Sequence, residues 1–390
     1  MKTMPSLLAP AGNMRALQTA LRFGADAVYC GAKQYGLRAQ ANNFDEKQLE
    51  EAVRLAHAAG AQVNLTLNIF AFDGDLDGMV RTAQRARDIG VDAAIVSDLG
   101  AIARIAREVP GLDVHVSTQA STTNSESARV YRALGAKRVV LAREMTFEQI
   151  EAMSAAIGDE IELETFIHGA ACMSYSGRCM LSSFLNGRSA NRGACSQPCR
   201  WTYTLHERTR PEEAMPIEED ERGTAILSSR DICMMEYLPR LMESGVCCFK
   251  IEGRMKTEIY IATVVGAYRR AMDAYAESPA GYRADAALQK RLRGELDKIS
   301  HRVYDTGFYF GQPKVCGEAL VEMKNRFFVG DELETVTPKG SEKLVIEDIV
   351  IERTGEHVGV VNVPMERVRI PCGGKLQAGD MLRGPVRNRA

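Results

Sequence analysis

Four cysteines fall within one short stretch, Cys172, Cys179, Cys195 and Cys199, in the run HGAACMSYSGRCMLSSFLNGRSANRGACSQPCRW. Their spacing, C-x6-C-x15-C-x3-C, puts four potential thiolates in a loop that also carries Arg178, Arg188, Arg192 and Arg200, with glycines and alanines between them that let the chain turn tightly. Thiolates are ligands for soft metals, and nearby positive charge favours the thiolate over the thiol. The set therefore suits a metal ion or an iron–sulfur cluster. Zinc and clusters both accept four thiolates, but structural zinc prefers pairs of C-x2-4-C knuckles, and only Cys195 and Cys199 make one. Buried free thiols are a third reading, and spacing alone leaves the three open. Cys233, in SSRDICMMEYLP, is an alternative fourth ligand or else packs at a helix start. Cys30, Cys247 and Cys248 sit in apolar strand-like runs and read as small buried hydrophobes.

Charge is distributed unevenly around that loop. From Cys172 to Arg210 there are six arginines against one acid, Glu207, and the acidic run Glu212 to Glu221 follows directly. The net charge of −2 gives the chain no global attraction to nucleic acid, so the local cluster is what points to an anion or a phosphate backbone; a solvated surface is the plain alternative. No N-terminal apolar h-region follows the opening MKTMPS, and no run approaches the ~20 apolar residues of a membrane helix. A soluble, cytoplasmic protein with no membrane partner is expected. In a reducing compartment ten cysteines mean ligands, redox groups or fillers rather than disulfides.

The elements that must position these residues follow from a repeated phrase: helix end, glycine, short apolar strand. It occurs at Gly24, Gly60, Gly90, Gly135 and Gly245. Glycine suits a left-handed helix C-cap, and the β-branched run after it suits a strand buried on both faces. Strands are predicted at Leu7 to Ala9, Ala27 to Gly31, Val63 to Ile69, Ala93 to Ser97, Val114 to Thr118, Arg138 to Leu141, Ile161 to Ile167 and Cys248 to Ile251. Eight strands alternating with helices predict an α/β fold, a (β/α)8 TIM-like barrel, with a doubly wound open sheet as the alternative. The expected barrel domain covers 1–300, with a long cysteine-rich insertion after strand 7 at 168–210. Short alternating segments beyond it predict a small β-barrel-like, all-β domain at 301–390.

Chemistry in such barrels collects at the C-terminal ends of the strands. Gln119 and Asn124 follow the fifth strand, Arg143 the sixth, Glu164 and His168 lie on the seventh, and Lys250 and Arg254 end the eighth. His168, Glu164, Lys250 and Arg254 are the catalytic candidates; Gln119, Asn124, Arg143 and the loop arginines Arg178, Arg188, Arg192 and Arg200 are the substrate-binding ones. Arg143, Lys250 and Arg254 could together hold a dicarboxylate, since guanidinium forks take carboxylates bidentately, or could instead form salt bridges with Glu164 and Glu252. HExxH, GxSxG and Walker motifs are absent, which removes the usual metalloprotease, serine-esterase and nucleotide-hydrolase signatures.

At ETFIHGAACMSYSGRCMLSS, NRGACSQPCRW and FKIEGRMK, with APAGN near the N-terminus and HVSTQAS in the middle, the chain resembles the collagenase-like peptidase family U32 over nearly its whole length. The resemblance implies a [4Fe-4S] cluster on Cys172, Cys179, Cys195 and Cys199. It is strongest to the tRNA wobble-uridine hydroxylases of that family, which implies tRNA as substrate, prephenate as co-substrate, and an oligomer with itself or a family paralogue. Relatives that hydroxylate ribosomal RNA or a quinone precursor share the loop, while the short single C-terminal module favours the tRNA type. A flipped-out base would enter the barrel mouth, with Tyr175 or Trp201 available for stacking. A collagenase-like peptidase and a non-catalytic RNA-binding module are the rival classes.

Overall fold

Each of the eight predicted strands forms. In the computed structural model the described residues are 4–37, 43–172, 174–200, 205–207, 210–215, 219–220, 223–224, 230–302, 304–311, 318–336, 340–352, 356–363, 365–372, 376 and 381–384. Strands β1 (Ser6–Pro10), β2 (Ala27–Gly31), β3 (Gln62–Leu67), β4 (Ala93–Val96), β5 (Asp113–Val116), β6 (Arg138–Val140) and β7 (Glu162–Ala170) pair in parallel, in sequence order. The strand Cys248–Ile251 then pairs in parallel with both β7 and β1, which closes the sheet into a barrel. The open doubly wound alternative is thereby excluded.

Helices α1 (Met14–Arg22), α2 (Glu46–Ala58), α3 (Asp73–Ile89), α4 (Leu99–Glu108), α5 (Ser125–Ala133) and α6 (Phe147–Ile157) return the chain between strands. Their starts are set by side-chain caps: Asn13, Asp45, Asp98, Asn124 and Thr146 each accept a hydrogen bond from a backbone N–H of the first turn. Gly90 ends α3 in the left-handed region at φ 99°, the conformation the recurrent glycine anticipates. The helix faces and the outer strand faces form one apolar core, from Leu7 and Val28 through Ile102, Val116 and Phe147 to Phe249 and Tyr268.

One strand was not anticipated. Asp231–Cys233 runs antiparallel to the end of β7, and Tyr304–Asp305 pairs on its far side. Cys233 is a buried strand residue directly ahead of the single turn Met235–Tyr237 and the helix Leu238–Glu243.

The chain divides into two compact units, Met1–Tyr203 with Ala225–Gln312, and Thr204–Thr224 with Pro313–Ala390. In the second, antiparallel strands Glu318–Glu322, Arg367–Pro371 and Val350–Ile351 make one small sheet, and Lys343–Val345, Glu332–Val336 and Met381–Arg383 another. Met323, Phe327, Leu333, Ile346, Ile349 and Val368 form its own apolar core. No helix among the described residues is long and apolar enough to cross a membrane.

Candidate active site at the barrel mouth

Side chains alternate across a strand, so the parallel register decides which residues face the barrel axis. Leu8, Ala27, Tyr29, Ile95 and Cys248 form an apolar cluster of their own, separate from the core under the helices. The same alternation carries inward Asn64 opposite Tyr29, His115 opposite Ile95, Arg138 opposite His115, Glu164 opposite Cys248, and Lys250 opposite Leu8. The axis of this barrel is accordingly charged where branched aliphatics are usual.

Glu164 is the hub of that interior. It is fully buried and accepts from Lys250 Nζ at 2.8 Å and from Arg138 Nη1 at 3.3 Å. Burial pushes its carboxyl up, but Lys250, Arg138 and His115 together outweigh this and hold it at about 2. His115 is also lowered, to about 3, but here burial is the chief cause, followed by Arg138. A carboxylate held between two cations is the arrangement that fixes a lysine ammonium in position at the floor of a pocket.

Above that floor opens a cavity of about 540 Å³, counting its space open to solvent, with Gln119, Arg143, Phe166, Lys250, Glu252 and Arg254 in its wall. Arg143 lies 3.9 Å over the Phe166 ring and donates through Nη1 to the Ala170 carbonyl at 3.0 Å. Arg254 crosses the mouth: Nη1 donates to Leu37 O at 3.0 Å and Thr66 Oγ1 at 3.1 Å, and Nη2 donates to Asn43 Oδ1. Gly31 makes room for it, since a Cβ there would sit 2.1 Å from Arg254 Nη2. Tyr29 donates its hydroxyl to Ile251 O at 3.0 Å or Glu252 Oε2 at 3.2 Å, and burial raises the phenol well above its ordinary value. Gln119 is buried, and its Oε1 has no hydrogen-bond partner. A buried acceptor left open costs about 1–3 kcal/mol unless a ligand or water fills it.

Of the sequence-predicted residues, then, the barrel brings together Gln119, Arg143, Glu164, Lys250 and Arg254. His168 is placed elsewhere. Between Phe166 and His168 the register with the closing strand slips by one residue, so His168 leaves the inward alternation. It is buried among Tyr260, Tyr268 and Tyr304, with Tyr268 Oη 3.5 Å from Nδ1 and Tyr304 Oη 3.4 Å from Nε2, and burial drives its pKa down to about 3. Asn124 caps α5 through Oδ1 to Ser127 N.

The loop arginines divide. Arg178 Nε donates to Gln119 O at 2.8 Å; Arg192 is committed to both oxygens of Asp75 and to Phe70 O. Arg188 Nε donates to Ala194 O at 3.1 Å. The Arg200 side chain and Trp201 lie outside the described residues. Sequence reasoning missed Arg138, His115, Asn64 and Phe166; a strict i, i+2 count along β6 and β7 would have flagged Arg138 and Phe166.

The cysteines of the loop are thiols, Cys172 exposed and Cys179, Cys195 and Cys199 half-buried. Cys179 Sγ accepts from Leu181 N at 3.4 Å and Cys195 Sγ from Gln197 N at 3.3 Å. Hydrogen bonds from backbone amides to sulfur are also a feature of cysteine ligands in iron–sulfur clusters. The donor chemistry therefore fits a soft metal or a cluster, although among the described residues no three His, Cys, Asp or Glu side chains are gathered as a metal site. Cys233 is buried, with its thiol pushed up by burial.

The sequence profile of peptidase family U32 matches residues 12–318, and that of the family's C-terminal domain matches 307–383. The chain is 35% identical to tRNA hydroxylation protein P1 of Bacillus subtilis over 97% of this chain and 94% of that protein. It is 31% identical to a collagenase of Porphyromonas gingivalis over 98% of this chain and 95% of that one. With the 23S rRNA 5-hydroxycytidine C2501 synthase of Escherichia coli it shares 33% identity over 90% of this chain and 55% of the synthase. By profile, by near-full-length likeness and by its closed barrel, the chain belongs to peptidase family U32.

Proposed function

We propose that this chain is an RNA-modifying enzyme, and more narrowly a hydroxylase that installs oxygen at C5 of a tRNA wobble uridine with prephenate as co-substrate. The observation that carries the reading is the likeness to a tRNA hydroxylation protein along almost the whole of both chains, where the ribosomal-RNA synthase is matched over only 55% of its length. The mouth supports it chemically. Arg143, Lys250 and Arg254 border one cavity, a cation set suited to a dicarboxylate. Gln119 Oε1 offers an open acceptor for a uracil N3–H or a ligand hydroxyl. A base must leave its stack to reach a pocket of this depth.

Cys172, Cys179, Cys195 and Cys199 would hold a [4Fe-4S] cluster, whose contribution when bound is electron transfer. The chain's own groups act otherwise: Glu164 fixes the Lys250 ammonium, Phe166 flattens Arg143 against the wall, and Gly31 lets Arg254 close the far side. The peptidase reading lacks a matching constellation, because no histidine lines the mouth cavity and His168 is enclosed by tyrosines.

The test is nucleoside mass spectrometry of tRNA from a deletion strain, with iron and acid-labile sulfide measured on anaerobically purified protein. Loss of 5-oxyuridine derivatives and a brown, iron-containing protein are expected. Unchanged nucleosides in a strain with no second family member would end the hydroxylase reading, and stoichiometric zinc without iron would end the cluster.

A further inference from the structure

The most exposed large side chain among the described residues is Phe184, 86% accessible, on the short helix α7 (Leu181–Asn186) inside the cysteine loop. Met180 stands one turn earlier, 76% accessible, and Phe184 N donates to Met180 O at 2.8 Å, so the two share a helix face. Leu185 is exposed beside them. Burying an aromatic ring normally stabilises a fold, so a helix that turns one into solvent forgoes that gain. An apolar face of this kind marks a contact surface.

What would cover it follows from charge. From Cys172 to Arg200 the chain has four arginines and no acid, and Arg188 stands four residues after Phe184, just past the left-handed Gly187 that ends the helix. Arg188 forms no ion pair with a described residue, unlike Arg192, which is bound to Asp75. A segment with four arginines and no acid is complementary to a polyanion, and single-stranded RNA is the polyanion that also offers an unstacked base to an exposed aromatic ring.

We infer that Phe184 is a base-stacking platform for single-stranded RNA, with Arg188 on the adjoining phosphate and Met180 completing the apolar contact. The inference rests on the RNA reading above and narrows it: recognition is shared between the mouth cavity and a second contact on α7. Stacking and charge then separate experimentally, because ring stacking is nearly independent of salt while each phosphate contact adds about one unit to the salt slope.

The experiment is fluorescence anisotropy of a labelled tRNA anticodon stem-loop against full-length, anaerobically prepared protein at several salt concentrations. Phe184→Ala should weaken binding about 10-fold at every salt, with a parallel slope; Phe184→Trp should bind as wild type; Arg188→Gln should flatten the slope by about one unit. Equal binding by wild type and Phe184→Ala overturns the inference and leaves the RNA reading standing. No binding by wild type overturns the RNA reading itself. A wild-type dimer in light scattering that Phe184→Ala dissociates, or anionic phosphatidylserine vesicles captured in preference to RNA, assigns the face to another occupant and overturns the inference equally.

Discussion

The barrel mouth and the cysteine loop use the same residue type in opposite ways. On the strands, Arg138, Arg143 and Arg254 are each fixed by at least one named partner, a buried carboxylate, an aromatic face or a carbonyl, on a neighbouring strand or loop. In the loop, Arg178 and Arg192 are spent tying the insertion to the rim and Arg188 donates to the loop's own Ala194 carbonyl, while the ring of Phe184 remains outward. The difference teaches that a cluster of arginines in a sequence is not one feature. Acceptors decide whether a guanidinium is scaffold or surface, and those acceptors come from elsewhere in the chain.

The contrast breaks most visibly at Glu164. Glu164→Ala leaves Lys250 buried without its carboxylate and Arg138 with Glu162 alone, so urea unfolding of the barrel unit should show a loss of about 3–5 kcal/mol. A loss below about 1 kcal/mol would mean the interior charges are solvated. Gly31→Ala comes next, because the new methyl displaces the Arg254 guanidinium; a cost of about 1–3 kcal/mol is expected and, on the proposed function, a raised prephenate requirement in the tRNA assay. Unaltered prephenate dependence would put the small-molecule site elsewhere.

Acid sensitivity sharpens the comparison on the barrel side. Folded His115 and His168 are held near 3 against an ordinary 6.5, so the unfolded chain binds their protons first. Their contribution is present above about pH 6.5 and is lost as pH falls toward 3, by up to about 1.4 kcal/mol per pH unit for each. Glu164, held at about 2 against 4.5, adds a second loss between those values. Urea midpoints at pH 7, 5.5 and 4 check this, and replacing His168 with Phe should make the decline shallower. The smallest effect is expected in the loop: Arg188→Gln should change thermal stability by less than about 0.5 kcal/mol, whereas Arg192→Gln, which loses Asp75, should lower it measurably.

Much of the barrel was legible because its determinants are local. A glycine that ends a helix and a β-branched run that follows lie within ten residues, and five of the eight barrel strands follow that phrase. The mouth residues Gln119, Arg143, Lys250 and Arg254 followed from strand ends. What was not legible depended on distant partners. Arg178 and Arg192 find their carbonyls 59 and 122 residues away, and nothing near either arginine announces it. His168, a candidate because it lies at the end of the seventh strand, is turned away from the axis by a one-residue slip opposite Lys250 and Ile251, and the sequence carries no mark of that slip beyond Gly169. The strand Asp231–Cys233 escaped because three residues are too few to show a period.

The closing pair of the barrel, Ser6 with Cys248, also has a consequence in time. Until Cys248–Ile251 is made, β1 and β7 are open sheet edges, and the cysteine loop hangs from the end of β7. At synthesis rates of about 5–20 residues per second, the roughly fifty residues between Cys199 and the closing strand take several seconds to emerge. All four loop thiols therefore reach solvent before the barrel can shut, and whatever they are to bind meets them while the sheet beneath is still a ribbon.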